Sequence, residues 1–162
     1  MLKIVLLLSL CFSGTIAGFS NEISGKVIAV IDGNTIEIES SENGIQRVVL
    51  FGIDCPELDQ NFGNEARTFL QKIVFNKKVS VELKGKDRTG NYLGVVLIND
   101  DDVRVELLKA GLAWTKEMDP DQSLEGYRKW AQQKGKGLWK DPDATAPWTF
   151  RRQQSMSKPK SS

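Results

Sequence analysis

Apolar and polar positions follow two rhythms along this chain. Residues 22–31 are mostly apolar and β-branched, which predicts a strand. Asp32-Gly33-Asn34 is a tight-turn signal. Thr35-Ile36-Glu37-Ile38-Glu39 then alternates at period two, as a half-buried strand does. Ser41-Glu42-Asn43-Gly44 is a second turn, and residues 45–53 read as a third strand, so the first half is a predicted three-stranded meander. The rhythm then changes. Phe62, Ala66, Phe69, Leu70, Ile73 and Val74 recur at helical spacing, with Asn61 as the expected cap. Residues 78–83 and 92–98 return to strand character around a polar segment with two glycines. Asp100-Asp101-Asp102 leads a helix through Val103, Leu107 and Leu108 that stops at Gly111, and a last helix is expected from about Leu124 to Lys134.

Three strands, a helix and two strands is the order of a five-stranded OB-type barrel, so the expectation is an α+β fold with three α-helices. The chain's 162 residues suit one domain with one core. The first residues read differently. Lys3 is a short basic start, residues 4–12 are apolar, and Thr15-Ile16-Ala17 is a small-residue end. This is the pattern of a secretory signal peptide over residues 1–18, because the apolar run is too short to span a bilayer. The expected layout is a leader at 1–18, a domain at 19–150 and a disordered basic tail at 151–162, in a periplasmic or secreted protein with no membrane attachment after cleavage. No feature such as a coiled coil points to an oligomer, and a monomer is expected.

Charge and residue type narrow the chemistry. Residues 18–150 carry 17 basic and 21 acidic side chains, while the tail holds Arg151, Arg152, Lys158 and Lys160 with no acid. A domain of that sign does not draw polyanions through its overall field, so any nucleic-acid contact must use a local patch or the tail. The chain has no histidine, which excludes imidazole bases, histidine-ligated metals and Ser-His-Asp triads. A hydrolase built from it must use a carboxylate, a lysine or a metal-bound water. After leader removal Cys55 is the lone cysteine, so no internal disulfide is expected.

Several short motifs occur in a telling order: Asp32-Gly33-Asn34-Thr35, Gly52-Ile53-Asp54-Cys55-Pro56-Glu57, Phe62-Gly63-Asn64-Glu65-Ala66, Asp87-Arg88-Thr89-Gly90, Leu108-Lys109-Ala110-Gly111-Leu112-Ala113-Trp114, and Gly137-Leu138-Trp139 with Pro147-Trp148. Together they resemble the thermonuclease, or staphylococcal-nuclease-like, domain family over roughly residues 23–150. The resemblance implies a calcium-dependent phosphodiesterase that cuts DNA and RNA. In that family a carboxylate cluster holds Ca²⁺, a glutamate activates water, and two arginines grip the phosphate. Hard oxygen ligands suit calcium, and guanidinium groups neutralise charge developing on phosphoryl oxygens.

Carried over position by position, the resemblance makes Glu57 the glutamate, Asp54 the main metal ligand, the Cys55 carbonyl a neighbouring ligand and Asp32 the outer carboxylate. Asp32 also suits an ordinary hairpin-turn acid. Asn34 stands where the family has a second ligating aspartate, which offers an oxygen without the charge and weakens calcium binding. The two arginine positions fall on Val49 and Asn91, neither of which supplies a fixed positive charge. Arg47, two residues before Val49 on the same strand face, and Arg88, in the flexible turn, are the candidate replacements; both also read as ordinary surface arginines. Cys55 lacks a base and reads as a structural turn cysteine. Trp139 and Trp148 read as packing the C-terminal segments onto the barrel, and Asp100 to Asp102 as a helix start. Two function classes follow. The first is a weakly active or silent module whose groove binds single-stranded nucleic acid, a nucleotide or a protein. The second is an active calcium-dependent nuclease with Glu57 as base and Arg47 and Arg88 as displaced phosphate clamps.

Overall fold

A computed structural model describes residues 21–157; the expected leader and residues 158–162 of the expected tail lie outside the described residues. β1 (Glu22–Val30), β2 (Thr35–Ser40) and β3 (Gly44–Leu50) form the antiparallel meander that the alternation predicts. On β2, Ile36 and Ile38 are fully buried while Glu37 and Glu39 face outward, so period two decides which face meets the core. The third strand is shorter than expected. Gly52 lies at φ +84, and the chain turns there before β4 (Ile53–Asp54).

α1 (Gly63–Val74) buries Ala66, Leu70 and Val74. Its N-cap is Phe62, at φ 68 and with no side-chain cap bond, rather than the expected Asn61. β5 (Lys78–Lys86) pairs with β1 on one side and with β6 (Tyr92–Ile98) on the other. β6 returns to β3 in parallel, with Val49 opposite Leu93, and this pairing closes five strands into the barrel. β7 (Asp101–Asp102) extends from β6, and α2 (Val103–Ala110) follows, capped by the Asp102 carboxylate accepting from the Arg104 N–H and ended by Gly111 in the left-handed region. β8 (Trp114–Thr115) pairs with β4. α3 (Gln122–Gln133), a 3₁₀ turn at Gly137–Lys140 and α4 (Pro147–Ser157) complete the described chain.

The fold is thus the expected five-stranded barrel with four α-helices rather than three. The extra helix falls where a disordered tail was expected: residues 151–157 are helical. Pro147 starts α4, a position where proline's fixed φ and missing N–H fit.

Val27, Ile36, Ile38, Val48, Leu50 and Val81 fill the barrel, and Leu70, Leu107, Leu108 and Leu124 pack onto it from the helices. Each such side chain contributes about 1.5–3 kcal/mol of transfer free energy. Among the described residues no helix is long and apolar enough to cross a membrane.

Candidate active site

Two turns meet at one end of the barrel. The Leu50 N–H donates to the Asn34 carbonyl at 2.8 Å, which stitches the end of β3 to the Asp32–Asn34 turn. The Asp32 carboxylate accepts from the Asn34 N–H at 2.9 Å, the side-chain-to-backbone bond that makes such residues good turn formers. A Cβ on Gly33 would lie 2.6 Å from the Cys55 Cβ and 2.8 Å from the Ala66 Cβ, so only glycine lets this turn lie against the Asp54–Cys55 segment. The Cys55 thiol donates to the Gly33 carbonyl at 3.2 Å, and the Cys55 N–H donates to Asn34 Oδ1 at 3.4 Å. Burial, with the nearby Asp54 and Asp32 charges adding to it, pushes the Cys55 thiol well above its ordinary pKa. It is a protonated structural group, which removes thiolate chemistry.

Asp54 is placed by two further devices. β4 pairs it with Trp114 on β8. Just before it, Arg104 donates to the Phe51 carbonyl at 2.9 Å and to both Asp102 oxygens. Arg104 is only 8% exposed. A guanidinium that deep persists because its donors are met, and removing it would strand Asp102 and the Phe51 carbonyl. Arg104 therefore pins the turn that delivers Asp54, a role that no feature of the sequence singled out.

Glu57 sits on the following loop, half-buried. Its carbonyl accepts from the Gln60 N–H at 2.9 Å and its N–H donates to Gln60 Oε1 at 3.2 Å. Gln60 in turn donates to the Thr145 carbonyl at 2.6 Å. A Cβ on Gly63 would lie 1.8 Å from the Glu57 carbonyl oxygen, so the start of α1 packs directly under the glutamate's backbone.

Sequence reasoning also missed Arg151, on α4. Its Nη1 donates to Asp54 Oδ1 at 3.2 Å and to Glu57 Oε1 at 2.6 Å, and its Nη2 donates to Asp54 Oδ2 at 2.7 Å. The Asp54 hydrogen bonds, more than those from Glu57, raise the guanidinium above its already high pKa. Arg151 falls in the expected disordered tail, and a contact 94–97 residues away in sequence leaves no periodic trace. The only sequence signal was Pro147 ahead of Arg151 and Arg152, a helix start leading two cations.

The candidate replacement arginines make no bond to Asp54 or Glu57 among the described residues. Arg47 is paired with Glu37 at 2.7 Å, across the β2–β3 ladder. Arg88 is exposed in its turn. Val49 stands opposite Thr35, one residue past the Asp32–Asn34 turn, and Asn91 spends its amide on Asp87 and Thr89 at 2.9 Å each.

The expected calcium ligands do come together, but not as a cage. Both Asp54 oxygens accept from Arg151, the Asn34 amide oxygen accepts from Cys55, and one Asp32 oxygen caps its own turn. Among the described residues no group of three or more His, Cys, Asp or Glu side chains is placed to hold a metal. Calcium takes six to eight oxygens, so this donor set would fit it only with Arg151 released from both Asp54 oxygens.

The barrel, the two turns and the Glu57 loop can be set beside known proteins. The model of a family described as staphylococcal nuclease homologue matches residues 47–141, more than half of the chain. The chain belongs to the staphylococcal nuclease homologue family. Its relatives include an "Uncharacterized endonuclease" of Escherichia coli O157:H7, 36% identical over 132 residues that make up 80% of this chain and 86% of that protein. A "Micrococcal nuclease" of Shigella flexneri is 34% identical over 143 residues, 81% of this chain and 82% of that one. A protein of Escherichia coli named "Protein ParB" is 34% identical over 146 residues, 83% and 82% of the two chains. The family match runs over residues 47–141, so it holds the Glu57 loop and the chain from the end of β3 through α3, while β1, β2 and Arg151 lie outside it.

Proposed function

We propose that this nuclease-family domain binds the phosphate backbone of single-stranded nucleic acid in the groove beside Glu57 and hydrolyses it slowly or not at all. The observation that carries the reading is the chemistry at positions 49 and 91. Val49 offers a hydrocarbon, and the Asn91 amide is already bonded within its turn. Arg47 is held by Glu37, a two-residue strand step or about 6.5 Å from Val49. A single cationic group on a transferring phosphoryl can be worth roughly 10³–10⁵ in rate, so the two losses leave little of a proficient enzyme.

What remains is enough for binding and for a slow reaction. Glu57 accepts a proton from the attacking water, the water oxygen bonds to phosphorus, and the ester P–O bond breaks with the leaving oxygen taking its proton from solvent. Calcium, implied by the family, is proposed to bind weakly, because it must displace Arg151 from both oxygens of Asp54. The export pattern at the N-terminus supports an activity outside the cytoplasm.

The test is cleavage of a single-stranded DNA oligonucleotide by purified protein in millimolar calcium. The expected result is turnover far below that of a family member carrying both arginines, with measurable oligonucleotide binding. Fast turnover that disappears in Glu57→Gln would instead support a fully active calcium-dependent nuclease.

A further inference from the structure

The geometry points to Arg151 as the phosphate-binding guanidinium of this groove, gripping a backbone phosphate of single-stranded nucleic acid through one free edge. The inference rests on the nucleic-acid-binding reading above and names the group that does the binding. An arginine carries five N–H donors in one plane. Here three are spent on carboxylates: Nη1 gives one to Asp54 and one to Glu57, and Nη2 gives one to Asp54. The Nε–H and the second N–H of Nη2 make no bond among the described residues. Those two donors lie side by side on one edge of the plane, the fork that grips two oxygens of a phosphate at once. The Arg151 side chain is 48% exposed. The bonded edge faces the carboxylates, which leaves the other edge turned away from them.

The surroundings pre-organise that fork. Asp54 and Glu57 fix the plane of the guanidinium, so little rotamer freedom is left to lose on binding. α4 is held on either side of Arg151 by Trp148 edge-on to Trp114 at 5.7 Å, Arg152 to Glu117 at 3.0 Å and Gln154 to Asp59 at 2.5 Å. Without Arg151 the two carboxylates would face a phosphate with like charge and repel it. One guanidinium against two carboxylates leaves a local surplus of negative charge. Phosphate is therefore gripped by the geometry of the fork rather than by a positive field.

The test is fluorescence anisotropy with a labelled oligothymidylate of about 15 nucleotides, using the full chain at low salt. Arg151→Gln should weaken binding by roughly tenfold to a hundredfold, the range of a charge-assisted hydrogen-bonded pair. Arg151→Lys, which keeps the charge but lacks the fork, should lose most of that affinity. Lys72→Gln, which removes an exposed cation in the last turn of α1, should stay within about twofold of wild type. Circular dichroism confirms that each variant is folded, and Arg151→Lys carries the test if Arg151→Gln is not. Wild-type affinity in Arg151→Gln or Arg151→Lys would overturn the inference while leaving the groove reading intact. Tighter binding or faster cleavage by Arg151→Gln would make Arg151 a plug, and would overturn it too. An oligothymidylate that does not bind wild-type protein would bring down the groove reading itself, and this inference with it.

Discussion

α1 and α4 both brace the loop that carries Glu57, and they do so by opposite means. α1 buries Ala66, Leu70 and Val74 in the barrel core, and its first glycine lies against the glutamate's own backbone. α4 buries Pro147 alone and is otherwise held by its tryptophan contact and by charged and polar bonds to Asp54, Glu57, Glu117 and Asp59. Apolar burial is not screened by salt, whereas half-exposed ion pairs weaken as ionic strength rises. One helix is scaffold. The other is an electrostatic arm that brings the Arg151 guanidinium to Asp54 and Glu57.

The sharpest contrast is in stability. Leu70→Ala should destabilise the domain by about 2–5 kcal/mol in urea unfolding, because the site is fully buried and cannot collapse freely. Arg152→Ala on α4 should cost at most about 1 kcal/mol, since its pair with Glu117 is about half exposed. Equal losses would erase the distinction between scaffold and arm.

Raising the salt should separate the helices next. Between low and high sodium chloride, amide hydrogen exchange in α4 should speed up severalfold while that in α1 stays put. Parallel behaviour would mean that α4 is held by packing rather than charge.

The smallest effect concerns the turn at Asn91, where the family resemblance implies an arginine. Asp87 accepts from the Thr89 hydroxyl and N–H and from the Asn91 amide and N–H, and these bonds, the Thr89 hydroxyl foremost, lower its pKa to about 2. An unfolded aspartate titrates near 3.9, at about the ordinary value. The folded carboxyl is the stronger acid, so its contribution is complete above about pH 4 and is lost as pH falls toward 2. Amide chemical shifts of residues 87–91 should stay native to about pH 3 and move below it. Movement near pH 4 would mean that the network is not formed.

Much of this architecture was legible in the sequence. Alternation in residues 35–39 and helical spacing from Phe62 to Val74 announce which faces are buried, and a closed barrel follows from their order. The acidic residues at 54 and 57 were legible because they sit in a short motif between a strand and a helix. Three things were not. The third strand was read through Gly52, because an apolar run does not reveal a positive φ. Arg104 is not singled out by the sequence, because its burial depends on the Phe51 carbonyl, 53 residues away. Residues 151–157 of α4, Arg151 among them, fall in the expected tail, because a polar helix that buries a single residue shows no apolar stripe and its ionic partners are remote in sequence.

The central claim is that the missing guanidiniums at 49 and 91, and not a damaged scaffold, limit chemistry here. It is tested most directly by the rate of single-stranded DNA cleavage in a Val49→Arg, Asn91→Arg double variant against wild type, in millimolar calcium. The account predicts a gain of at least about 10²-fold that is abolished by adding Glu57→Gln. A folded double variant no faster than wild type would contradict it.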